Sequence, residues 1–253
     1  MGAIYTIDSK GSLQIASAID VLSGLGSSFV EDFDSGPSIS GSVATSTQPW
    51  NLNNGSGGSL SGTPTNGSAT NPGVWTLATG TTSSSGRSGI LRGLSVTTGY
   101  LYLGSVYEIY CEWVSQIPTL SAGADTFDTA VGLGDAVSTS GIGTNGLIWR
   151  QSTGGVWQCQ IVSGGVVSGL SLASAGAAST GWVRQVVKLD KTNVIWQMAT
   201  GRNAALSTVH TVPIASLPAG LIAAPIGQMA RIQKVAGANS REVRVDLCRF
   251  ALS

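Results

Sequence analysis

Residues 106–114 read Val-Tyr-Glu-Ile-Tyr-Cys-Glu-Trp-Val, and their alternation decides the fold class. In an extended chain Tyr107, Ile109, Cys111 and Trp113 share one face while Glu108, Tyr110 and Glu112 share the other, the period of two that marks a strand with one side buried. The same pattern returns in WVRQVVKLD from Trp182, where Val183, Val187 and Leu189 oppose Arg184 and Lys188. It returns again in REVRVDLCRF from Arg241, where Val243, Val245 and Leu247 oppose Arg244 and Asp246. Further strands are expected at VWTLA from Val74, TAVGLGD from Thr129, GLIWR from Gly146, VWQCQIV from Val156, NVIWQMA from Asn193 and MARIQKV from Met229. Asp190 to Asn193 supply turn chemistry between two of these, so LDKTNVIW reads as a hairpin. Short strands broken by Gly, Asn and Pro predict an all-β, two-sheet antiparallel jelly-roll sandwich.

Length and composition bound the rest. A chain of 253 residues suits one sandwich with appendages. Residues 1–30 read as an N-terminal attachment segment and 31–253 as the sandwich domain, with 35–72 a Ser/Gly/Asn-rich run of loops and short strands. Charged residues make up 10% of the chain, and 13 basic residues balance 13 acidic ones, against a usual charged share of roughly 25%. With no Lys/Arg block there is no electrostatic footprint for nucleic acid, and a near-zero net charge favours association between subunits. The stretch Leu13 to Leu25 is broken by Gln14, Ser17, Asp20 and Ser23, so neither a secretory signal nor a membrane span is expected. Production in a cytoplasm is the corresponding expectation. Within residues 1–30, Ile15, Ile19 and Leu22 have the spacing of one helix face, predicting a short helix that orders against a partner.

Taken in order, these segments resemble a family of concanavalin A-like jelly-roll modules found in virion structural proteins of tailed bacteriophages. The resemblance is carried by EDFDSG at Glu31, NPGVWTLATGTT at Asn71, Gly86-Arg87, VYEIYCEWV, FDTAVGLGD at Phe127 and NGLIWR with VWQCQIV. It continues through GWVRQVVKLDKTNVIWQMATGRN at Gly181 and QMARIQKVAGANSREVRVDLCRF at Gln228, covering residues 31–251. It implies a two-sheet jelly roll, incorporation into the virion as capsid decoration or a tail-associated part, and frequently a homotrimer.

Candidate sites are sparse. Glu108 and Glu112, four residues apart on a strand, would stand roughly 13 Å apart at about 3.3 Å per residue, beyond the about 5–9.5 Å of paired glycosidase carboxylates; no catalytic role is expected of them. Asp125, Asp128 and Asp135 are weighed as calcium ligands, but without a dense DxDxDG run turn and cap roles are favoured, and no cofactor is expected. GIGTNG, Gly141 to Gly146, has the outline of a phosphate-cradling loop yet leads into a strand rather than a helix. His210, the only histidine, has no companion ligands. Cys111, Cys159 and Cys248 are expected as free thiols, and Trp113 as core. Trp149 and Trp157 flank the turn QSTGG, which makes them the glycan-contact candidates through ring stacking. The functional expectation is therefore a non-enzymatic, oligomeric virion surface protein docked on other virion proteins through residues 1–30, with recognition of a host surface polysaccharide as the alternative.

Overall fold

The computed structural model describes residues 6–7, 13–14, 28–31, 50–55, 57–62, 73–81, 86–92, 101–105, 108–135, 143–152, 155–176 and 179–252. The alternation pairs strands into two antiparallel sheets of eight. The first runs β13 (Val166–Val167), β12 (Trp157–Ser163), β11 (Gly146–Gln151), β10 (Thr126–Gly134), β17 (Pro225–Ala236), β7 (Arg87–Arg92) and β4 (Trp50–Gly55), with β8 (Leu101–Tyr102) also paired to β17. The second runs β16 (Ser207–Pro213), β15 (Asn193–Thr200), β14 (Trp182–Leu189), β9 (Ile109–Gln116), β18 (Glu242–Leu252), β6 (Trp75–Ala78) and β5 (Ser59–Gly62), with β3 (Ser28–Glu31) also paired to β18. Every pairing is antiparallel, and non-sequential neighbours such as β10 with β17 and β9 with β18 close the jelly roll. A separate ribbon joins β1 (Thr6–Ile7) to β2 (Leu13–Gln14).

The inner faces of the two sheets meet in one core. Trp50, Trp75, Trp113, Trp149, Trp157 and Trp196 are all buried in it with Phe127, Leu133 and Ile161. A buried aromatic removes roughly 150–250 Å² from water, roughly 4–6 kcal/mol each by area as an upper bound. Such a core explains how a charge-poor chain is held together: apolar area, not surface pairing, dominates. Polar ends are accommodated by backbone acceptors, as where Trp113 Nε1 donates to Gly132 O at 3.3 Å and Trp149 Nε1 to Val186 O at 3.0 Å. A one-turn helix, α1 (Ala219–Ile222), drops Leu221 into the core beside β12.

The expected strands that lie within the described residues form, and the β14–β15 hairpin turns on Asp190, whose carboxylate accepts the backbone N–H groups of Thr192 (2.8 Å) and Asn193 (2.7 Å). One strand departs from its predicted faces. Val245 pairs with Ser115 but Leu247 pairs with Val114, so Asp246 is an extra residue, a β-bulge. The bulge inverts the alternation: Leu247, expected beside Val243 and Val245, turns to the outer face, and Cys248 and Phe250 enter the core instead. β3 straddles the expected division at residue 30, pairing Phe29 with Phe250 and Glu31 with Cys248. Ile15, Ile19 and Leu22 lie outside the described residues, as does Tyr107.

Candidate polar pocket on the outer face of the second sheet

Outward-facing positions on β9, β14 and β18 converge where the bulge sits. Glu112 on β9 stands opposite Val186 of β14 and Arg249 of β18, and its carboxylate is 1% exposed. A buried carboxylate is costly unless paired and hydrogen-bonded, and this one is both. Arg184 Nε donates to Oε1 at 2.8 Å, the Tyr110 hydroxyl donates to Oε2 at 2.8 Å, and Arg249 Nη1 approaches Oε2 at 3.5 Å. Burial, then the charge and hydrogen bond of Glu112, raise the Tyr110 hydroxyl above its ordinary pKa, so it remains a donor.

The β15–β16 connection folds over this face. Gly201 makes the turn in the left-handed region at φ +101°, where a side chain would be strained, and its N–H donates to Trp182 O at 2.7 Å. That turn sends Arg202 to the bulge, where its Nε lies 3.1 Å from the Asp246 carboxylate, itself 0% exposed. Arg184 holds the loop from beneath through Nη1 to Ala204 O at 2.9 Å. Between loop and sheet lies a pocket of about 160 Å³ lined by Glu112, Arg184, Arg202, Asn203, Leu247 and Arg249, with Val114 beside them. Three guanidiniums face two carboxylates. The lining offers guanidinium and amide donors over a small apolar floor, the chemistry of binding; Glu112, already accepting from its neighbours, is not placed as a proton-transfer group.

The sequence-derived candidates fare unevenly. Glu108 is exposed and precedes β9, so it shares no site with Glu112. Trp149 and Trp157 are corrected outright: at 0% and 1% exposure both are core, and neither ring offers a face to a sugar. Each precedes or follows its turn at an inward-facing strand position, so the turn between them does not expose them. Asp125 is held by Asn239 and Arg241, Asp128 by Arg150 at 2.7 Å, and Asp135 by the Thr144 N–H and the Asn145 amide. Hydrogen bonds from Asn239 lower the Asp125 pKa, with Arg241 reinforcing them. Among the described residues no group of His, Cys, Asp or Glu gathers as a metal site. His210 Nε2 is 2.8 Å from Leu170 O and its ring lies against Trp196, while all three cysteines are buried free thiols. The Gly143–Gly146 end of GIGTNG leads into β11, as expected.

The pocket itself was not anticipated. Its available signal was the pair of outward charges on predicted strands, Glu112 and Arg184; strict alternation would have turned Arg249 inward, and the bulge that brings it out, like the Arg202 loop, is set by tertiary contacts. A second basic row, Arg87, Arg150 and Arg231, lies on the outer face of the first sheet. There burial, and then Arg87, push Arg231 down to about 10, but at 3% exposure it is closed to a ligand.

No family model and no curated protein sequence matches the chain. Solved structures do. A protein of unknown function from Shewanella oneidensis MR-1 is similar over 95% of both chains, with a TM-score of 0.58 at 17% identity. Peanut lectin, solved with a nine-residue peptide, is similar over 90% of this chain and 97% of its own, with a TM-score of 0.51 at 12% identity. The exoplasmic/lumenal domain of VIP36 in its Ca²⁺/Man-bound form is similar over 88% of each chain, with a TM-score of 0.51 at 9% identity. At such identities the likeness establishes the fold, a lectin-like jelly roll.

Proposed function

We propose that the chain is a surface protein of a bacteriophage particle, a non-enzymatic lectin-like module that recognises a host-surface glycan through the outer face of its second sheet. The carrying observation is the polar pocket lined by Glu112, Arg184, Arg202 and Arg249, with Asp246 buried behind Arg202, a preformed concavity on a sandwich of the type found in peanut lectin and VIP36. The sequence resemblance over residues 31–251 supports the particle location, with residues 1–30 as the attachment segment and Ile15, Ile19 and Leu22 as its partner-facing positions. Two experiments test the reading. Gold-labelled antibody against this chain should decorate intact particles in negative stain, and the purified chain should bind host surface polysaccharide. Unlabelled particles, or no binding to any host polysaccharide, would sink it.

A role in assembly, as an oligomeric decoration protein, has its own support. Among the described residues β16 forms one edge of its sheet, and its seven residues, Ser207 to Pro213, carry no Asp, Glu, Lys or Arg. Edge strands are usually guarded by such charges. A homotrimer is the expected state, and sedimentation across a concentration series showing monomer throughout would refute it.

A further inference from the structure

Charge decides which class of sugar the pocket accepts, and the inference below rests on the glycan-recognition reading. Two of the three guanidiniums have close carboxylate partners: Arg184 at 2.8 Å from Glu112 and Arg202 at 3.1 Å from Asp246. Arg249 reaches Glu112 only at 3.5 Å, on the oxygen that already accepts the Tyr110 hydroxyl, and its side chain is 39% exposed. Among the described residues the pocket therefore carries one positive charge in excess, on the most exposed of its three guanidiniums. Neighbouring groups among the described residues do not cancel it. Lys188 lies opposite Tyr110 on the same outer face, and Glu242 farther along β18 is taken up by Arg244 at 2.6 Å.

We infer that the pocket binds the carboxylate of an acidic sugar, with the Arg249 guanidinium as its principal contact. A guanidinium presents a planar fork matched to a carboxylate, and fixed neighbours reduce the ordering cost of using it. The buried carboxylates of Glu112 and Asp246 supply that fixing, because each holds an arginine in place beside Arg249. Val114 and Leu247, both buried, close the floor beneath the guanidiniums and leave the polar groups as the contacts a ligand meets. The volume limits the ligand as well. A pocket of about 160 Å³ is small against the about 300–1,000 Å³ of common ligand sites, so most of a polysaccharide must run outside it.

The test is calorimetric titration of the full chain at low salt with three probes: a glucuronate-containing tetrasaccharide, the same tetrasaccharide with its carboxyl groups reduced, and inorganic phosphate. The acidic tetrasaccharide is expected to bind at least about tenfold more tightly than either other probe, and Arg249→Gln to weaken it by about tenfold or more, with Arg249→Lys intermediate. Glu112 keeps Arg184 and Tyr110 in Arg249→Gln, so its melting temperature should stay close to that of the parent. Independently of any variant, the Arg249 Nε–H resonance should shift on titration. Equal binding of the reduced tetrasaccharide overturns the acidic-sugar inference and leaves glycan recognition standing. Equal binding of phosphate overturns it in favour of an unselective anion site, as does an undiminished Arg249→Gln variant in favour of another surface. Failure of both tetrasaccharides, together with failure to bind host polysaccharide, overturns both readings.

Discussion

Replacing Glu112 by Gln, with Glu108→Gln as its control, separates two carboxylates that the sequence presents as a pair. Glu112 is 1% exposed and accepts from Arg184 and Tyr110, with Arg249 alongside. Hydrogen bonds to a charged group contribute about 1.5–3 kcal/mol each. Arg184 and Arg249 are 17% and 39% exposed, however, so water takes over part of their solvation and the sum is discounted. The glutamine also points an amide N–H₂ among donors, leaving one unmatched. The expected net loss is about 2–3 kcal/mol, which at about 2–4 °C per kcal/mol for a domain of this size lowers Tm by about 5–10 °C. Glu108, exposed ahead of β9, should move stability by no more than about 1 kcal/mol, the range of an exposed charged contact. Urea unfolding followed by tryptophan fluorescence reads both variants on one scale. Equal losses, or an unchanged midpoint for Glu112→Gln, would refute the claim that the outer-face ion pairs hold this part of the sheet. A double-mutant cycle with Arg184→Gln should return a coupling energy of about 1 kcal/mol or more.

Other outcomes follow from placement. Trp157→Ala should cost about 3–5 kcal/mol through the cavity it leaves, and any loss of glycan binding should track unfolded fraction; a folded variant with abolished binding would return Trp157 to the site. Asp125 and Asp190 both have folded pKa values lowered by hydrogen bonds, the latter first by the Thr192 and Asn193 backbone N–H groups. Their stabilisation is therefore present above the ordinary carboxylate value of about 4 and lost as pH falls through the lowered folded value. Asp190→Ala should lower Tm at pH 7, with the gap from the parent closing toward pH 2, and a gap that widens in acid would contradict this. Burial pushes the Cys159 thiol up and leaves it protonated; with Cys111 and Cys248 also buried, an aromatic disulfide reagent should label none of the three until denaturant is added.

The sandwich was legible because its strands are half-buried: Ile109, Cys111 and Trp113 against Tyr110 and Glu112 state the period outright, as do Val187 and Leu189 against Lys188. Where a strand has glycine at an outward position, as β7 does at Gly89, or mixes Thr and Val at an exposed edge, as β16 does, the contrast fades and neither was anticipated. The site was legible only as an unassembled set of charges. Glu112, Arg184 and Arg249 lie on strands far apart in sequence, and their meeting depends on which strands are neighbours. Trp149 and Trp157 misled because a glycine-rich turn was taken to expose its flanks, whereas strand parity, set by Leu147 and Ile161, carries both rings inward.

The pairing on either side of Asp246 gives that residue an unusual independence. Because Val245 already faces Ser115 and Leu247 already faces Val114, excising Asp246 joins two stretches whose partners are themselves consecutive. The shortened strand keeps Cys248 and Phe250 inside without any slip of register, and what disappears is the anchor for Arg202. The architecture and the pocket are thus separable by a single codon: a chain lacking Asp246 should remain a sandwich while Arg202 loses its anchor and the β15–β16 loop is held only by Arg184 at Ala204. The extra residue therefore serves the pocket rather than the packing of the two sheets.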